Sequence, residues 1–220
     1  NPSGKVFSRD ELSRLADLAQ EYDFYVITDE IYEHIIYDEK CHTPIALLPG
    51  MRDRTVTISG LSKTFSVTGW RVGYIVAPED LTDAIRKVHD FLTVGAAAPL
   101  QEAGAKAMQL GQDYYAQLSS EYQQRRDFLA APLKEAGFDI WIPSGAYYIM
   151  ADISSLTDLN DVQFVEQLIR DYRVATVPGS SFYHLPELGH RYIRFAFCKT
   201  LDVLSEAGDR LLKLNKNQSI

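Results

Sequence analysis

Residues 59–74 have the sequence Ser-Gly-Leu-Ser-Lys-Thr-Phe-Ser-Val-Thr-Gly-Trp-Arg-Val-Gly-Tyr. The alternating residues 55–58 before them predict a short buried strand. Lys63 lies among small and hydroxylated residues, where desolvation favours the neutral amine and makes it a candidate for Schiff-base formation. Arg71 lies between two glycines, where an arginine can bind a phosphate bidentately. Either residue alone is more often an exposed side chain. The pair indicates a lysine that bonds to an aldehyde and an arginine that holds the phosphate of the same molecule.

This stretch resembles the lysine signature of the class I/II aminotransferases, which are pyridoxal-phosphate enzymes of fold type I. The matching pattern is Ser-Lys-Thr-Phe-Ser-x-Thr-Gly-Trp-Arg-x-Gly-Tyr, and it is long and highly specific. The resemblance implies that Lys63 is the catalytic residue that forms a Schiff base with pyridoxal 5'-phosphate, and that Arg71 binds the cofactor phosphate. In many members a serine three places before the lysine also binds the phosphate. Gly60 takes that position here, with Ser59 and Ser62 nearby, and Ser62 is our candidate.

A second motif follows the apolar run at residues 24–28, which predicts a parallel strand buried on both faces. The run ends in Asp29-Glu30-Ile31-Tyr32, and ligands of open α/β sheets bind beyond the carboxyl ends of strands. A carboxylate there can pair with a protonated pyridine nitrogen, although an isolated aspartate is more often a helix cap or turn residue. The family carries Asp-Glu-x-Tyr at this place. The resemblance implies that Asp29 binds the pyridine nitrogen and Tyr32 the ring hydroxyl oxygen.

The chain opens with Asn-Pro-Ser-Gly, which by itself predicts a turn. It is similar to the family's Asn-Pro-x-Gly motif, whose asparagine donates a hydrogen bond to the ring hydroxyl oxygen of the cofactor. The resemblance therefore implies that Asn1 is a further cofactor-binding residue. The motifs from Asn1 through Asp29 and Lys63 to Arg71 occur in the order and at the spacing of the family.

A candidate for substrate binding lies near the end of the chain. Residues 192–197 alternate as a strand, with Ile193 and Phe195 on one face and Arg194 on the other. An arginine opposite the core can bind a carboxylate bidentately, and it can equally be a solvated strand residue. The family has an arginine in this context that binds the α-carboxylate of the substrate, so the resemblance implies this role for Arg194. Arg191 lies on the other face and is not assigned.

The pattern predicts an α/β fold. A capping box at Ser8 predicts the first helix. The pattern further predicts strands at residues 72–77, 145–152 and 192–197, helices at residues 79–92, 112–136 and 161–172, and helices that begin at residues 99 and 200. The resemblance implies part of a large, mostly parallel sheet domain over residues 1–118 and a smaller α+β domain over residues 119–220. A full member has about as many residues again before the Asn-Pro motif. We therefore expect a C-terminal fragment of a longer chain that forms a homodimer when complete.

Composition narrows the classes of function. The 220-residue chain has a formal net charge of −8, which argues against nucleic acid or an anionic membrane as the main partner, and no hydrophobic span is visible. Cys41 and Cys198 lie far apart, which indicates a reducing, cytoplasmic setting without disulfides. His34 and His42 lack ligand spacing, so no metal site is predicted. Residues 217–219 form an N-glycosylation sequon that we interpret as chance.

The resemblance implies a pyridoxal-phosphate-dependent aminotransferase that moves an amino group from an L-amino acid to a 2-oxo acid. Motifs that bind the cofactor do not decide the reaction. Two alternatives therefore stay open: a β-lyase of the same fold that cleaves C–S bonds, and an aminotransferase-like sensing domain of a transcription regulator. Aromatic residues at 147, 148, 182 and 183 suggest a substrate side chain that is aromatic, methionine-like or glutamine-like.

Overall fold

A computed structural model describes residues 1–214, so the sequon at 217–219 lies outside the described residues. The chain divides into two units. One is Val6–Leu118, and the other is Asn1–Lys5 together with the chain from Ser119 onward. The first five residues therefore group with the second unit, whereas the sequence assigned them to the first. The reason is local, because the carbonyl oxygen of Gly4 accepts backbone hydrogen bonds of 3.1 and 2.9 Å from Ser144 and Gly145.

The first unit contains a mixed three-stranded sheet and several helices. Its elements are α1 (Arg9–Glu21), β1 (Val26–Asp29), β2 (Thr55–Gly60), α2 (Leu61–Thr64), β3 (Gly73–Val76), α3 (Glu79–Thr93), α4 (Ala98–Ala107) and the start of α5 (Gln112–Glu135). The strand order is β1-β2-β3, with β1 parallel and β3 antiparallel to β2. Asp29 is paired with Ile58, and Gly60 with Gly73. Both parallel strands thus end, and β3 begins, at one edge of the sheet.

The core of this unit lies under one face of the sheet. The predicted capping box is confirmed at Ser8 and Glu11, and it starts α1. The helix then packs Ala16 and Ala19 against Val26 and the buried residues of the segment at 45–51. This packing anchors the strand that ends in Asp29.

The prediction that β1 is buried on both faces is wrong for this chain. Val26 is 8 % exposed, but its neighbour Ile27 is 70 % exposed. Among residues 1–214, the core cluster formed by α1 and the segment at 45–51 packs against the face of β1 that carries Val26. Helix α3 behaves similarly: it forms where predicted, yet none of its residues is buried, and Phe91 is 96 % exposed. An apolar sequence pattern predicts that a face of a strand or helix can be buried. It does not predict which other segment will cover that face.

The second unit contains an antiparallel sheet. Its elements are the end of α5, β4 (Asp139–Trp141), β5 (Tyr148–Asp152), α6 (Asp161–Gln167), a π-helical segment (Leu168–Tyr172), β6 (Val177–Pro178), β7 (Tyr192–Ala196) and α7 (Leu201–Leu211). The strand order is β4-β5-β7-β6. Ile193 and Phe195 are buried, whereas Arg194 is only partly buried, which confirms the predicted period of two in β7. The three-residue strand β4 was not predicted.

Two findings concern the predicted setting of the protein. Cys41 and Cys198 are both free thiols, as expected from their spacing. Among the helices of residues 1–214, none has both the length and the apolar character that a bilayer crossing requires.

Candidate active site

The predicted catalytic lysine lies on a short helix that directly continues a strand. Strand β2 ends at Gly60, and the partly buried Lys63 is the third residue of α2. Both neighbours on its carboxyl side are held by α5, because the Tyr114 hydroxyl donates to the carbonyl oxygen of Thr64 at 2.8 Å and the Phe65 ring stacks on the Tyr114 ring at 5.6 Å. The backbone that directly follows Lys63 is therefore held against α5.

Strand β2 and strand β3 approach each other closely beside the lysine helix. The Leu61 N–H donates to the carbonyl oxygen of Val72 at 3.1 Å. A Cβ atom at Gly60 would lie 3.0 Å from the Cα atom of Gly73 and 3.0 Å from the Val72 oxygen. The glycine pair therefore permits an approach that a side chain at position 60 would prevent.

We expect Gly60→Ser to destabilise the chain. The added Cβ atom lies 3.0 Å from backbone atoms of Val72 and Gly73, so the backbone of β3 must shift by a few tenths of an ångström, at a cost of about 1–3 kcal/mol. Urea unfolding of both proteins measures this difference. Gly69→Ser is the matched control, because a Cβ atom there has no heavy atom within 4 Å. Equal loss of stability in the two variants would contradict the packing argument.

The predicted phosphate-binding arginine lies in an unusual backbone conformation. Arg71 follows a single 3-10 turn over Thr68–Trp70 and adopts φ 54° and ψ 43°, in the left-handed region. Its Nη1 atom donates to the carbonyl oxygen of Thr68 at 3.0 Å, and the Thr68 hydroxyl donates to the carbonyl oxygen of Ser62 at 2.9 Å. Thr68 thus connects the backbone of one predicted phosphate ligand, Ser62, to the side chain of the other.

Asp29 and Tyr32 lie where β1 gives way to a turn. Asp29 is the last residue of the strand, and its exposed carboxylate accepts a 3.2 Å hydrogen bond from the Ile31 N–H. Tyr32 is partly buried in the turn, and its carbonyl oxygen accepts from the Ile35 N–H at 2.9 Å. The carboxylate is thereby oriented at the carboxyl end of the strand, which is the position that ligand binding to an open sheet requires.

The second unit brings Asn1 and Arg194 into direct contact. The Arg194 Nη1 atom donates to the side-chain oxygen of Asn1 at 2.6 Å. The guanidinium carbon lies 3.9 Å from the ring centroid of Tyr148 and 4.6 Å from that of Phe182, so two aromatic rings hold the plane of the group. The Arg194 Nε atom is buried without a hydrogen-bond partner among the described residues. The hydrogen bond from Arg194 occupies the side-chain oxygen of Asn1. The role that the resemblance implies for Asn1 uses its side-chain NH₂ group, which this bond does not occupy.

Arg191 has a different environment from Arg194. Its Nε atom donates to the Ser154 hydroxyl at 2.8 Å, and its Nη2 atom donates to the carbonyl oxygen of Thr157 at 3.3 Å. These bonds tie the loop after β5 to the start of β7. The geometry supports the choice of Arg194 over Arg191 as the candidate for substrate binding.

Several residues around the site carry contacts that the sequence did not indicate. Asp161 is fully buried, and one of its carboxylate oxygens accepts a 2.7 Å hydrogen bond from the Ser180 N–H, which orients the turn that carries Phe182. In the first unit, Glu30, Glu33 and His42 have ligand atoms within 4.8 Å of one another. These contacts join residues that are distant along the chain, and no local motif marks them.

The residues of the first unit offer what pyridoxal 5'-phosphate requires. Lys63 supplies a primary amine for the aldehyde, Arg71 a guanidinium for the phosphate, and Asp29 a carboxylate for the protonated pyridine nitrogen. The sheet register places their three segments at one edge, since Asp29 pairs with Ile58 and Gly60 pairs with Gly73. The set of donors and acceptors therefore fits this cofactor.

Known proteins are similar to this chain along almost all of its length. A family model described as Aminotransferase class I and II matches residues 1–211. Kynurenine–oxoglutarate transaminase of Dictyostelium discoideum is 38 % identical and aligns with 98 % of this chain and 55 % of its own length. Aspartate aminotransferase of Pyrococcus abyssi is 38 % identical and aligns with 100 % of this chain and 56 % of its own length. The chain spans about half the length of these curated relatives.

A solved structure supports the same conclusion. N-succinyldiaminopimelate aminotransferase from Mycobacterium tuberculosis matches with a TM-score of 0.93 and 37 % identity, over 97 % of this chain and 56 % of that one. The match confirms the predicted α/β fold class, fold type I. With the family match over residues 1–211, the chain belongs to the class I and II aminotransferase family.

Proposed function

We propose that this chain belongs to a pyridoxal-phosphate-dependent aminotransferase that moves an amino group from an L-amino acid to a 2-oxo acid. The observation that carries the proposal is the convergence of Asp29, Lys63 and Arg71 at one edge of the first unit's sheet. Family membership and the names of the relatives support it.

The cofactor supplies an aldehyde that captures amines and a ring that accepts electrons. Lys63 would hold it covalently through its amine and, once displaced by the substrate amine, would act as general base and acid at the substrate Cα atom. Arg71 would bind the phosphate, with Ser62 beside it. Asp29 would keep the pyridine nitrogen protonated, and Tyr32 would hydrogen-bond to the ring hydroxyl oxygen.

Arg194 and Asn1 have the remaining proposed roles. Arg194 would bind the α-carboxylate bidentately, because its guanidinium plane is held by Tyr148 and Phe182. A fixed carboxylate orients the bonds at the Cα atom relative to the base. Asn1 would donate to the ring hydroxyl oxygen while its side-chain oxygen accepts from Arg194.

The remaining features of the proposal concern organisation and substrate. Apart from residues 1–5, which group with the second unit, we assign residues 1–118 to the large cofactor-binding domain and 119–220 to a small domain. We also propose a cytoplasmic homodimer, because the free thiols fit a reducing compartment. The relatives are named for kynurenine and for aspartate at equal identity, so identity does not select a substrate. The rings beside Arg194 favour an amino acid whose side chain is aromatic, methionine-like or glutamine-like.

Product analysis distinguishes the proposed reaction from the β-lyase. The protein, loaded with pyridoxal 5'-phosphate, is incubated with a panel of L-amino acids, an S-substituted cysteine and 2-oxoglutarate. An aminotransferase forms one new amino acid for each oxo acid produced and releases no ammonia. A β-lyase releases pyruvate, ammonia and a thiol from the cysteine derivative alone. Cofactor binding without either product would favour the sensing domain and contradict the proposal.

A further inference from the structure

The carboxylate of Glu33 joins three separate segments of the first unit. Its Oε1 atom accepts hydrogen bonds from the Ser59 hydroxyl at 2.7 Å and from the Tyr74 hydroxyl at 3.0 Å. Ser59 lies near the end of β2 and Tyr74 near the start of β3, where the two residues are register partners. We call Glu33, Ser59 and Tyr74 the Glu33 clamp.

Each member of the Glu33 clamp lies close in sequence to a candidate cofactor ligand. Glu33 directly follows Tyr32, and Ser59 precedes Lys63 on the strand that leads into its helix. Tyr74 is near Arg71, on the strand that begins after the arginine loop. A single carboxylate oxygen therefore connects the segments that carry the proposed ring, aldehyde and phosphate contacts.

The backbone beside the clamp is held by Glu30. Its N–H donates to the carbonyl oxygen of Ile58 at 2.7 Å. Its carbonyl oxygen lies 3.4 Å from the Ser59 hydroxyl oxygen, whose single proton is donated to Glu33. Its side chain is buried, accepts from the Thr28 hydroxyl at 2.9 Å and contacts the His42 Nε2 atom at 2.5 Å. Burial alone would raise the pKa of Glu30, but the hydrogen bonds from His42 and Thr28 outweigh burial and lower it. The turn that carries Glu33 is thus anchored on β2.

The same side chains could be taken for a metal site, since Glu30, Glu33 and His42 cluster. Their oxygen atoms already accept hydrogen bonds from Thr28, Ser59 and Tyr74. Protein donors therefore already occupy both oxygens of Glu30 and Oε1 of Glu33. The contacts favour a structural link between segments over metal binding.

We propose that Glu33 is a positioning residue, whose carboxylate holds the segments of Asp29, Lys63 and Arg71 in the arrangement that binds the cofactor. The inference rests on the proposed function. Hydrogen bonds to a charged acceptor are about twice as strong as neutral ones. Here they connect the turn that carries Glu33 to both β2 and β3. Burial raises the pKa of Tyr74; the neighbouring Ser59 side chain opposes this shift, and the charge of Glu33 and the hydrogen bond to it add to the shift, as expected for a phenol that donates to a carboxylate.

The test compares cofactor binding in wild-type protein and in Glu33→Gln, Tyr74→Phe and the double variant. Glu33→Gln keeps an oxygen acceptor and loses the charge, so the Kd for pyridoxal 5'-phosphate should rise about tenfold. Tyr74→Phe alone should raise it about threefold. Since both changes act through one hydrogen bond, the double variant should resemble Glu33→Gln. Glu21→Gln, an exposed position at the end of α1, is the matched control.

Unchanged Kd values with lower thermal stability would mean a structural role only and would overturn the inference, as would strictly additive effects in the double variant. If the wild-type protein binds no cofactor, the proposed function fails. Amide hydrogen exchange then tests separately whether the Glu33 clamp holds its three segments together. Glu33→Gln should then exchange about tenfold faster in peptides covering residues 29–36 and 59–74, and unchanged in peptides covering 139–152. If Glu33→Gln changed the exchange rate by the same factor in all three regions, or in none of them, the clamp would be contradicted.

Discussion

Lys63→Ala is expected to lower turnover by at least about 10⁴-fold, because it removes both the amine that would bond to the cofactor and the general base for the Cα proton. Lys63→Arg should be equally inactive. Arginine keeps the positive charge but stays protonated, so it neither forms an imine nor accepts a proton. Steady-state rates with the preferred amino-acid and oxo-acid pair measure both effects.

Lys87→Ala is the control for this experiment, since Lys87 is an exposed lysine on α3. It should keep wild-type activity. Turnover of Lys63→Arg within tenfold of wild type would show that only the charge at position 63 matters. That result would remove Lys63 from covalent chemistry.

Arg194→Ala is expected to lower kcat/KM for amino acids about 100- to 1000-fold, since each hydrogen bond between charged groups contributes on the order of 1.5–3 kcal/mol. Arg194→Lys should lose about tenfold or more, because an ammonium group keeps the charge and not the planar fork that the Tyr148 and Phe182 rings hold. The specific readout is an amine substrate that lacks the α-carboxylate. Its rate should not change, because the lost interaction is absent from that substrate.

The exposed Arg170 provides the control, and Arg170→Lys should leave all rates unchanged. A comparable loss for the amino acid and for the amine lacking a carboxylate would contradict the assignment. It would mean that Arg194 supports the fold through its contact with Asn1 and does not bind the substrate.

The structure shows which parts of this account could be predicted. Elements with strong local signals, such as the capping box of α1 and the alternation of β7, formed where the sequence placed them. Burial of β1 was mispredicted, because the apolar pattern of Ile27 says nothing about which segment covers it. The motif residues could be named from the sequence because family resemblance marks them, and their roles stay predictions. The residues that contact and support these segments could not be named, since Glu33 meets Ser59 and Tyr74, and Asp161 meets Ser180, across long stretches of chain.

The central claim is that the amine of Lys63 bonds to the cofactor, and borohydride reduction tests it most directly. The protein is incubated with pyridoxal 5'-phosphate and reduced with borohydride, and its intact mass is measured. It is then digested, and the modified peptide is sequenced by mass spectrometry. The account predicts one adduct, on the peptide that contains Lys63, and its loss in Lys63→Arg. An adduct on another lysine at comparable yield, or one that persists unchanged in Lys63→Arg, would contradict it.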